Sequence, residues 1–147
     1  MVQSILFEFI WLPTNYFEWT DIVKIIPLLI VNDLLFGGFH FIMHVYFPAS
    51  HAIHHQLKDE KLNGVNAQSS SILDHCLTSI APPYLSALAV GLSYPATVFW
   101  FMFCEYNSVK SHIYKSGHDY DYHILHHYNP KIHLGTSIGL FDFLFTN

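Results

Sequence analysis

Histidine recurs in this chain at spacings that suit metal binding. The pattern H-x-x-H-H occurs twice, and an H-x-x-x-H pair precedes the first copy. The eight residues concerned are His40, His44, His51, His54, His55, His123, His126 and His127. Residues i, i+3 and i+4 of a helix project from one face, so each group would present its imidazoles side by side. Neutral imidazole offers a nitrogen lone pair that suits Fe, Zn, Cu and Ni, and eight such ligands exceed the needs of one ion. The pattern predicts two metal ions.

Four further histidines lie outside these patterns. His112 and His118 are candidate ligands with irregular spacing, and His133 suits a ligand or a structural role equally well. His75 stands alone and is better explained as a satisfied polar residue or a headgroup contact.

The sequence lacks the motifs of several other enzyme classes. It contains neither H-E-x-x-H nor E-x-x-H, so the zinc protease and soluble carboxylate di-iron motifs do not fit. It also lacks the G-x-S-x-G nucleophile motif. Two all-imidazole metal sites beside a bilayer favour, by elimination, redox work with dioxygen on lipid C–H bonds.

The composition indicates that the elements holding these histidines lie in a membrane. The 147 residues suffice for one domain, and 52% are hydrophobic while only 12% are charged, about half the usual charged share. The net charge of −5, with no basic run, argues against a nucleic-acid partner. We therefore expect an all-α, membrane-embedded fold.

The first spanning segment is predicted from residue 22 to residue 47. Asp33, Gly37, His40 and His44 follow one another there at spacings of 4, 3 and 4, which is one stripe of a helix. Ionisable groups inside a span normally face the protein interior, so the stripe should face the site. Ser50 is a plausible N-cap for a second helix that carries the first triplet. Residues 1–21 are predicted to form an interfacial segment that precedes a single domain, 22–147.

A broken hydrophobic hairpin is predicted between Cys76 and Cys104. This stretch has no charged residue, but Pro82, Pro83, Gly91 and Pro95 interrupt it. Two legs of about 14 residues would each reach only about 20 Å, short of a bilayer core of about 30 Å, unless the flanks of the stretch lengthen them. The segment must nevertheless cross an even number of times if the histidines on either side of it share a site.

The lysines indicate which side carries the histidine cap. Five of the six lie on the histidine side of this topology, namely Lys58, Lys61, Lys110, Lys115 and Lys131. By the positive-inside tendency the histidine-rich cap would face the cytosol.

The ordered set of motifs resembles the membrane fatty acid hydroxylase and sterol desaturase superfamily. That family has an acidic residue before H-x-x-x-H, then H-x-x-H-H, and finally H-x-x-H-H followed by Asn and a segment closing in F-D-x-L-F. The matching residues are Asp33, His40 and His44; His51, His54 and His55; and His123, His126, His127 and Asn129, with "FDFLFTN" at the end. "KSGHD" resembles the family's H-S-G-Y-D, with Lys115 in place of the histidine, so His112 or His118 would have to substitute.

The resemblance implies a multi-pass enzyme of the endoplasmic reticulum or a bacterial inner membrane. It implies two Fe ions, which Zn can replace in purified protein, with O2 as co-substrate and a lipid as substrate. Electrons would come from a cytochrome b5-type or reductase partner. Asp33 would orient an imidazole N–H, and Asp119, Asp121 and Asp142 are weaker candidates for that role. The chain lacks a pair of spans that many relatives have, which would suit a homodimer.

Two alternatives remain open from the residues alone. A non-catalytic membrane zinc-binding protein on the same scaffold would suit the irregular third motif and the short chain. A proton or metal transporter is a weaker alternative, because it would need ionisable groups through the full membrane depth and Cys76 to Cys104 has none.

Overall fold

A computed structural model describes residues 15–56, 63, 66, 69–113, 122–136 and 138–146. Within these ranges the regular elements are all helical, which confirms the predicted all-α class. The predicted interfacial segment, residues 1–21, lies mostly outside the described residues. That segment and the domain boundary after residue 21 stay predictions.

The predicted first span is one long helix. After a short helix α1 (Thr20–Val23), helix α2 (Ile25–Tyr46) runs for 22 residues, about 33 Å at 1.5 Å per residue. In the described part of the chain it is the one helix long and apolar enough to cross a membrane. It ends at Phe47, whose backbone is no longer helical, because the following Pro48 disfavours the helical conformation of its predecessor.

The polar stripe of α2 faces inward as predicted. Asp33, Gly37 and His40 are buried, and His44 is half-buried. Apolar side chains such as Ile26 on other faces are exposed, as a lipid-facing surface requires.

The predicted hairpin is also present, with longer legs than expected. The first leg runs without interruption through α4 (Ile72–Asp74), a π-helical segment (His75–Ile80) and α5 (Ala81–Val90). Gly91 turns the chain in the left-handed conformation that favours glycine, and the second leg, α6 (Tyr94–Ser111), has 18 residues. The legs exceed about 14 residues because both helices continue into the polar flanks of the apolar stretch.

The π-helical segment explains why Pro82 and Pro83 do not break the first leg. Neither proline has an N–H to donate, so a regular α-helical ladder could not continue through them. They lie in the first turn of α5, directly after the π segment, where Ala81 N–H donates to the Cys76 carbonyl five residues back. The wider turn thereby ends one hydrogen-bonding pattern and begins the next without a break in the helix.

The hairpin is attached to α1 and to the N-terminal half of α2. At the turn, the buried Asp21 carboxylate accepts hydrogen bonds from Ser93 N–H (3.1 Å) and Ser93 Oγ (2.6 Å), and Lys24 Nζ donates to the Gly91 carbonyl. A buried apolar cluster then joins α2, α5 and α6. Its members are Leu28, Ala87, Leu92 and Trp100.

The first histidine triplet does not lie on one helix that begins after Ser50, so that expectation is wrong. Helix α3 (Pro48–His51) begins three residues earlier, because proline suits the first helical position. The chain then turns through residues 52 and 53 into a 3₁₀ turn, His54–Gln56. Helices α7 (Tyr122–Tyr128) and α8 (Leu140–Phe145) complete the described elements.

Candidate metal centre

Nine histidines from distant parts of the chain meet in two clusters at one end of α2. In each cluster, every member offers a ring nitrogen that lies within 4.8 Å of those of the other members. Site A consists of His40, His44, His51, His55 and His126. Site B consists of His54, His112, His123 and His127. The two sites are adjacent, since the ring centroids of His55 and His127 are 4.5 Å apart.

Each H-x-x-H-H triplet divides between the two sites in the same way. The first and last histidines of a triplet join one site, and the middle one joins the other. His51 and His55 belong to site A and His54 to site B, whereas the second triplet gives His123 and His127 to site B and His126 to site A. Each copy of the repeated motif therefore contributes histidines to both clusters.

The nitrogens of site A converge closely. His51 Nε2 lies 3.0 Å from His40 Nε2 and 3.0 Å from His55 Nε2. On the other side of the site, His44 Nε2 lies 3.0 Å from His126 Nε2.

Three rings of site A are oriented by oxygen acceptors on their far side. His40 Nδ1–H donates to the Leu134 carbonyl (2.9 Å), and His126 Nδ1–H donates to the Ile132 carbonyl (2.7 Å). His51 Nδ1–H donates to Asp74 Oδ1 (2.9 Å). Because an oxygen acceptor needs the proton on Nδ1, a neutral ring in each case turns an Nε2 lone pair toward the site.

This arrangement fits a metal ion. Two neutral imidazoles whose lone pairs face each other at 3.0 Å, as in His40 and His51, cannot hydrogen-bond to each other. A cation between them removes the repulsion. Ligand nitrogens about 2.1 Å from an ion and at right angles to each other are separated by about 3.0 Å, which is the observed spacing. In addition, the buried His55 Nδ1 has no hydrogen-bond partner among the described residues.

Site B is built in the same manner. His112 Nδ1–H donates to the Ser108 carbonyl (2.6 Å) one turn earlier in α6, so its Nε2 faces His54 Nε2 at 3.1 Å. His123 Nε2 lies 3.4 Å from His54 Nε2 on the other side. His112, which follows the last residue of α6, thus belongs to site B, and its role as a ligand stays a prediction.

Burial keeps these imidazoles in the form that binds metals. Desolvation lowers the pKa of His54, His55 and His123, and the neighbouring histidines lower it further. Burial likewise lowers the pKa of His126 to about 3, although its hydrogen bond to Ile132 opposes the shift. Neutral rings at neutral pH leave their lone pairs available for a cation.

One comparison with known proteins assigns the chain to a family. Residues 25–147 match the family model described as fatty acid hydroxylase. The chain belongs to the fatty acid hydroxylase family. This confirms the resemblance seen in the motifs. No curated protein and no solved structure matches the chain, so the family model carries the assignment. The family is membrane-bound and typically iron-dependent.

In this hydroxylase domain, two carboxylates hold the C-terminal segment whose Leu134 carbonyl orients His40 of site A. Asp142 accepts hydrogen bonds from Leu134 N–H (2.8 Å) and Gly135 N–H (2.9 Å), and Asp33 accepts from Thr136 N–H (2.8 Å) and from Phe141 N–H (2.8 Å). The hydrogen bonds of Asp33 therefore go to the C-terminal segment, and the Leu134 carbonyl orients His40. Direct orientation of an imidazole by Asp33 stays a prediction.

The carboxylate that contacts an imidazole directly is Asp74, which the sequence analysis missed. It is almost completely buried and forms its hydrogen bond with His51. One signal was available, because Asp74 is the last charged residue before the long uncharged stretch. Its pairing with His51 across 23 positions had no signature in the spacing.

The remaining candidates lie outside the two clusters or outside the described residues. His75 is in the π-helical segment and joins neither site, as expected for a structural residue. His133 also joins neither site, and its ring packs on Tyr122. His118, Asp119 and Asp121 lie outside the described residues. Metal binding by the nine clustered histidines stays a prediction.

A cavity of about 280 Å³ leads from the histidines into the helices of this fatty acid hydroxylase fold. It is lined by one face of α2, from Leu29 to His40, and by one face of α6, from Trp100 to Ser111. Each face is about 16 Å long at 1.5 Å per residue. Pro82 and Pro83 form part of the third wall. The shape suits an elongated apolar ligand with one end at the metal sites.

Proposed function

We propose that the protein is a membrane-bound di-iron oxygenase that oxidises a C–H bond of a lipid in an O2-dependent reaction. The observation that carries the proposal is the pair of adjacent all-imidazole sites at one end of a cavity between membrane helices. Bound at sites A and B, two iron ions would supply the activation of dioxygen that an unreactive C–H bond requires.

The chain's own residues support this chemistry in three ways. The carbonyls of Leu134 and Ile132 and the carboxylate of Asp74 fix the ring orientation and tautomer of three ligands. Burial keeps the imidazoles neutral and therefore able to bind metal. The cavity walls exclude water and hold the substrate so that one segment of it lies beside His40 and His112.

Sterol and fatty acyl lipids are the substrate classes that we propose. Hydroxylation, methyl oxidation and desaturation all begin with removal of a hydrogen from a positioned carbon, so all three fit the site. Turnover would draw electrons from a cytochrome b5-type or reductase partner.

We also propose a multi-pass topology in an endoplasmic reticulum-type or bacterial inner membrane, with sites A and B facing the cytosol. Helix α2 would cross the bilayer, and the hairpin would enter and return from the same side. The exposed Lys110 next to His112 supports this orientation through the positive-inside tendency. We further propose that the protein forms a homodimer.

One observation favours a second function, a non-catalytic membrane zinc-binding protein. Site B, as described, has four imidazoles, which is the ligand number of a closed structural zinc site. The five imidazoles of site A exceed that number and favour the oxygenase.

Metal analysis of single-site variants tests the proposal. The protein is purified in mild detergent from iron-supplemented cells, and its metals are measured by mass spectrometry for the wild type and for His126→Ala (site A), His54→Ala (site B) and His75→Ala (control). We expect about two irons per chain in the wild type and the control, and loss of iron in both site variants. Addition of a reductant and lipid should then cause O2 consumption in the wild type only. Zinc alone, or one metal that His126→Ala leaves in place, would favour the zinc-binding protein.

A further inference from the structure

Asn32 is a buried amide in the wall of the cavity. Its residue is 9% exposed, and it lies in the middle of α2, the helix that crosses the membrane. A polar group at that depth is costly unless it forms hydrogen bonds. The position calls for an explanation that the metal sites do not provide.

The protein offers this amide one long contact, which is made to its oxygen. Ser86 Oγ lies 3.5 Å from Asn32 Oδ1, at the long limit of a hydrogen bond. The same hydroxyl lies closer to the Pro83 carbonyl (3.0 Å) and accepts a hydrogen bond from Trp100 Nε1 (3.2 Å). Since a hydroxyl has one proton, its better acceptor is Pro83. Among the residues that the structure describes, no acceptor contacts the Asn32 Nδ2 amide group.

The surroundings of Asn32 place this free donor against a ligand. Asn32, Ser86 and Trp100 come from three different helices and meet at one level, where Asn32 and Trp100 line the cavity. Between this level and the histidines, the walls carry apolar side chains such as Phe36 and Phe103. A ligand that fills the cavity would meet the Asn32 amide at this level and, toward the histidines, walls that carry polar side chains such as Ser108 as well as apolar ones.

We propose that Asn32 binds an oxygen atom, a hydroxyl or a carbonyl, of the lipid substrate. This inference rests on the proposed function, because it takes the cavity to be the substrate site. Asn32 is eight residues from His40, about 12 Å along α2. The substrate is then a lipid that carries an oxygen function about 12 Å from the carbon presented to the metal sites, and not a chain that ends in a methyl group at that depth.

Equilibrium binding of matched lipid pairs tests the inference without turnover. Radiolabelled cholestanol is compared with cholestane, and hexadecanol with hexadecane, on the full-length protein in nanodiscs. The proteins are wild type, Asn32→Leu and a control, Asn107→Leu. Asn107 also lines the cavity, but its amide already donates to the Phe103 carbonyl (2.8 Å).

In the wild type we expect the oxygenated member of at least one pair to bind about tenfold more tightly, as one buried hydrogen bond and one otherwise unpaired donor imply. Asn32→Leu should abolish that preference and retain binding of the hydrocarbon, while Asn107→Leu should keep the preference. Equal binding of both members of both pairs by the wild type would overturn the inference, and so would a preference that survives Asn32→Leu or is lost in Asn107→Leu. If Asn32→Leu fails to fold, Asn32→Ala, which removes the amide without filling its space, is measured in its place, and equal binding by the wild type overturns the inference in either case.

The readout separates this inference from the proposed function. A preference that depends on Asn32 in a protein that consumes no O2 would support the lipid site and count against the oxygenase. O2 consumption with lipid, together with equal binding of both pair members, would support the oxygenase and refute the role of Asn32.

Discussion

Substitution of Asp74 tests whether its contact with His51 sets the metal affinity of site A. The hydrogen bond is 2.9 Å long, and both side chains are almost completely buried. Loss of a carboxylate that orients a ligating histidine typically costs about 10- to 100-fold in metal affinity, or about 1.4 to about 2.8 kcal/mol. Asp74→Asn keeps a neutral acceptor and should fall near tenfold. Asp74→Leu leaves the His51 N–H without an acceptor and should approach a hundredfold.

Chelator competition on detergent-purified protein would measure the affinity of each site. Only site A should weaken, because His51 belongs to that site alone. In a His51→Ala background, Asp74→Asn should change the affinity by less than about twofold, since the partner through which it acts is absent. Asp21→Asn is the matched control, because Asp21 is also a buried acid but lies at the hairpin turn.

Three results would refute this reasoning about Asp74. The first is an equal loss of affinity at both sites. The second is an undiminished effect of Asp74→Asn in the His51→Ala background. The third is a loss of metal in Asp21→Asn as large as that in Asp74→Asn, which would mean that general destabilisation explains the effect.

Three further predictions concern stability. The pKa of His126 is lowered from 6.5 to about 3, so below about pH 6.5 the unfolded chain binds more protons than the folded one, and stability falls as the pH falls. The melting temperature of metal-free protein should therefore be constant above about pH 7 and decrease at lower pH. A flat profile would contradict this prediction. In Gly37→Ala the new Cβ would overlap the ring of Phe141, which should lower the free energy of unfolding by about 1 to 3 kcal/mol. In the control Gly38→Ala the new Cβ meets no atom within 4 Å, so this variant should be neutral or slightly stabilising. Equal effects in thermal unfolding would exclude close packing at Gly37. Asp21→Ala removes the acceptor at the hairpin turn and should cost about 1 to 3 kcal/mol while leaving the metal content unchanged, and loss of metal would show that the two ends of the bundle are coupled.

The main features of the membrane fold could be predicted from local patterns. The inward stripe of α2, with Asp33, Gly37 and His40 buried, follows from helical periodicity and the cost of polar groups in lipid. The hairpin followed from an uncharged stretch interrupted by Gly91 and from the need for an even number of crossings. The legs are longer than the apolar stretch alone implies, because both helices continue into its polar flanks, and a π-helical segment accommodates Pro82 and Pro83 within the first leg.

The histidine set was predictable for a similar reason, since a motif repeated twice is visible in the letters alone. The division of each triplet between two sites was not visible. It depends on where α3, α6 and α7 meet, and contacts such as His44 with His126 join residues 82 positions apart. His112 has no motif around it, and its place in site B depends on where α6 ends.

The sequence by itself therefore determined the helical class, the long apolar helix, the hairpin and most of the histidines that cluster at the end of α2. These features follow from periodicity, hydropathy and ligand chemistry. Only the tertiary structure decided which histidines share a site and which acceptors orient them. It also showed that Asp74 contacts a ring of site A. The physical reason is that hydrogen-bond partners and cavity walls are set by packing between distant segments. Such packing produces no repeated spacing of residues that could be recognised in the sequence.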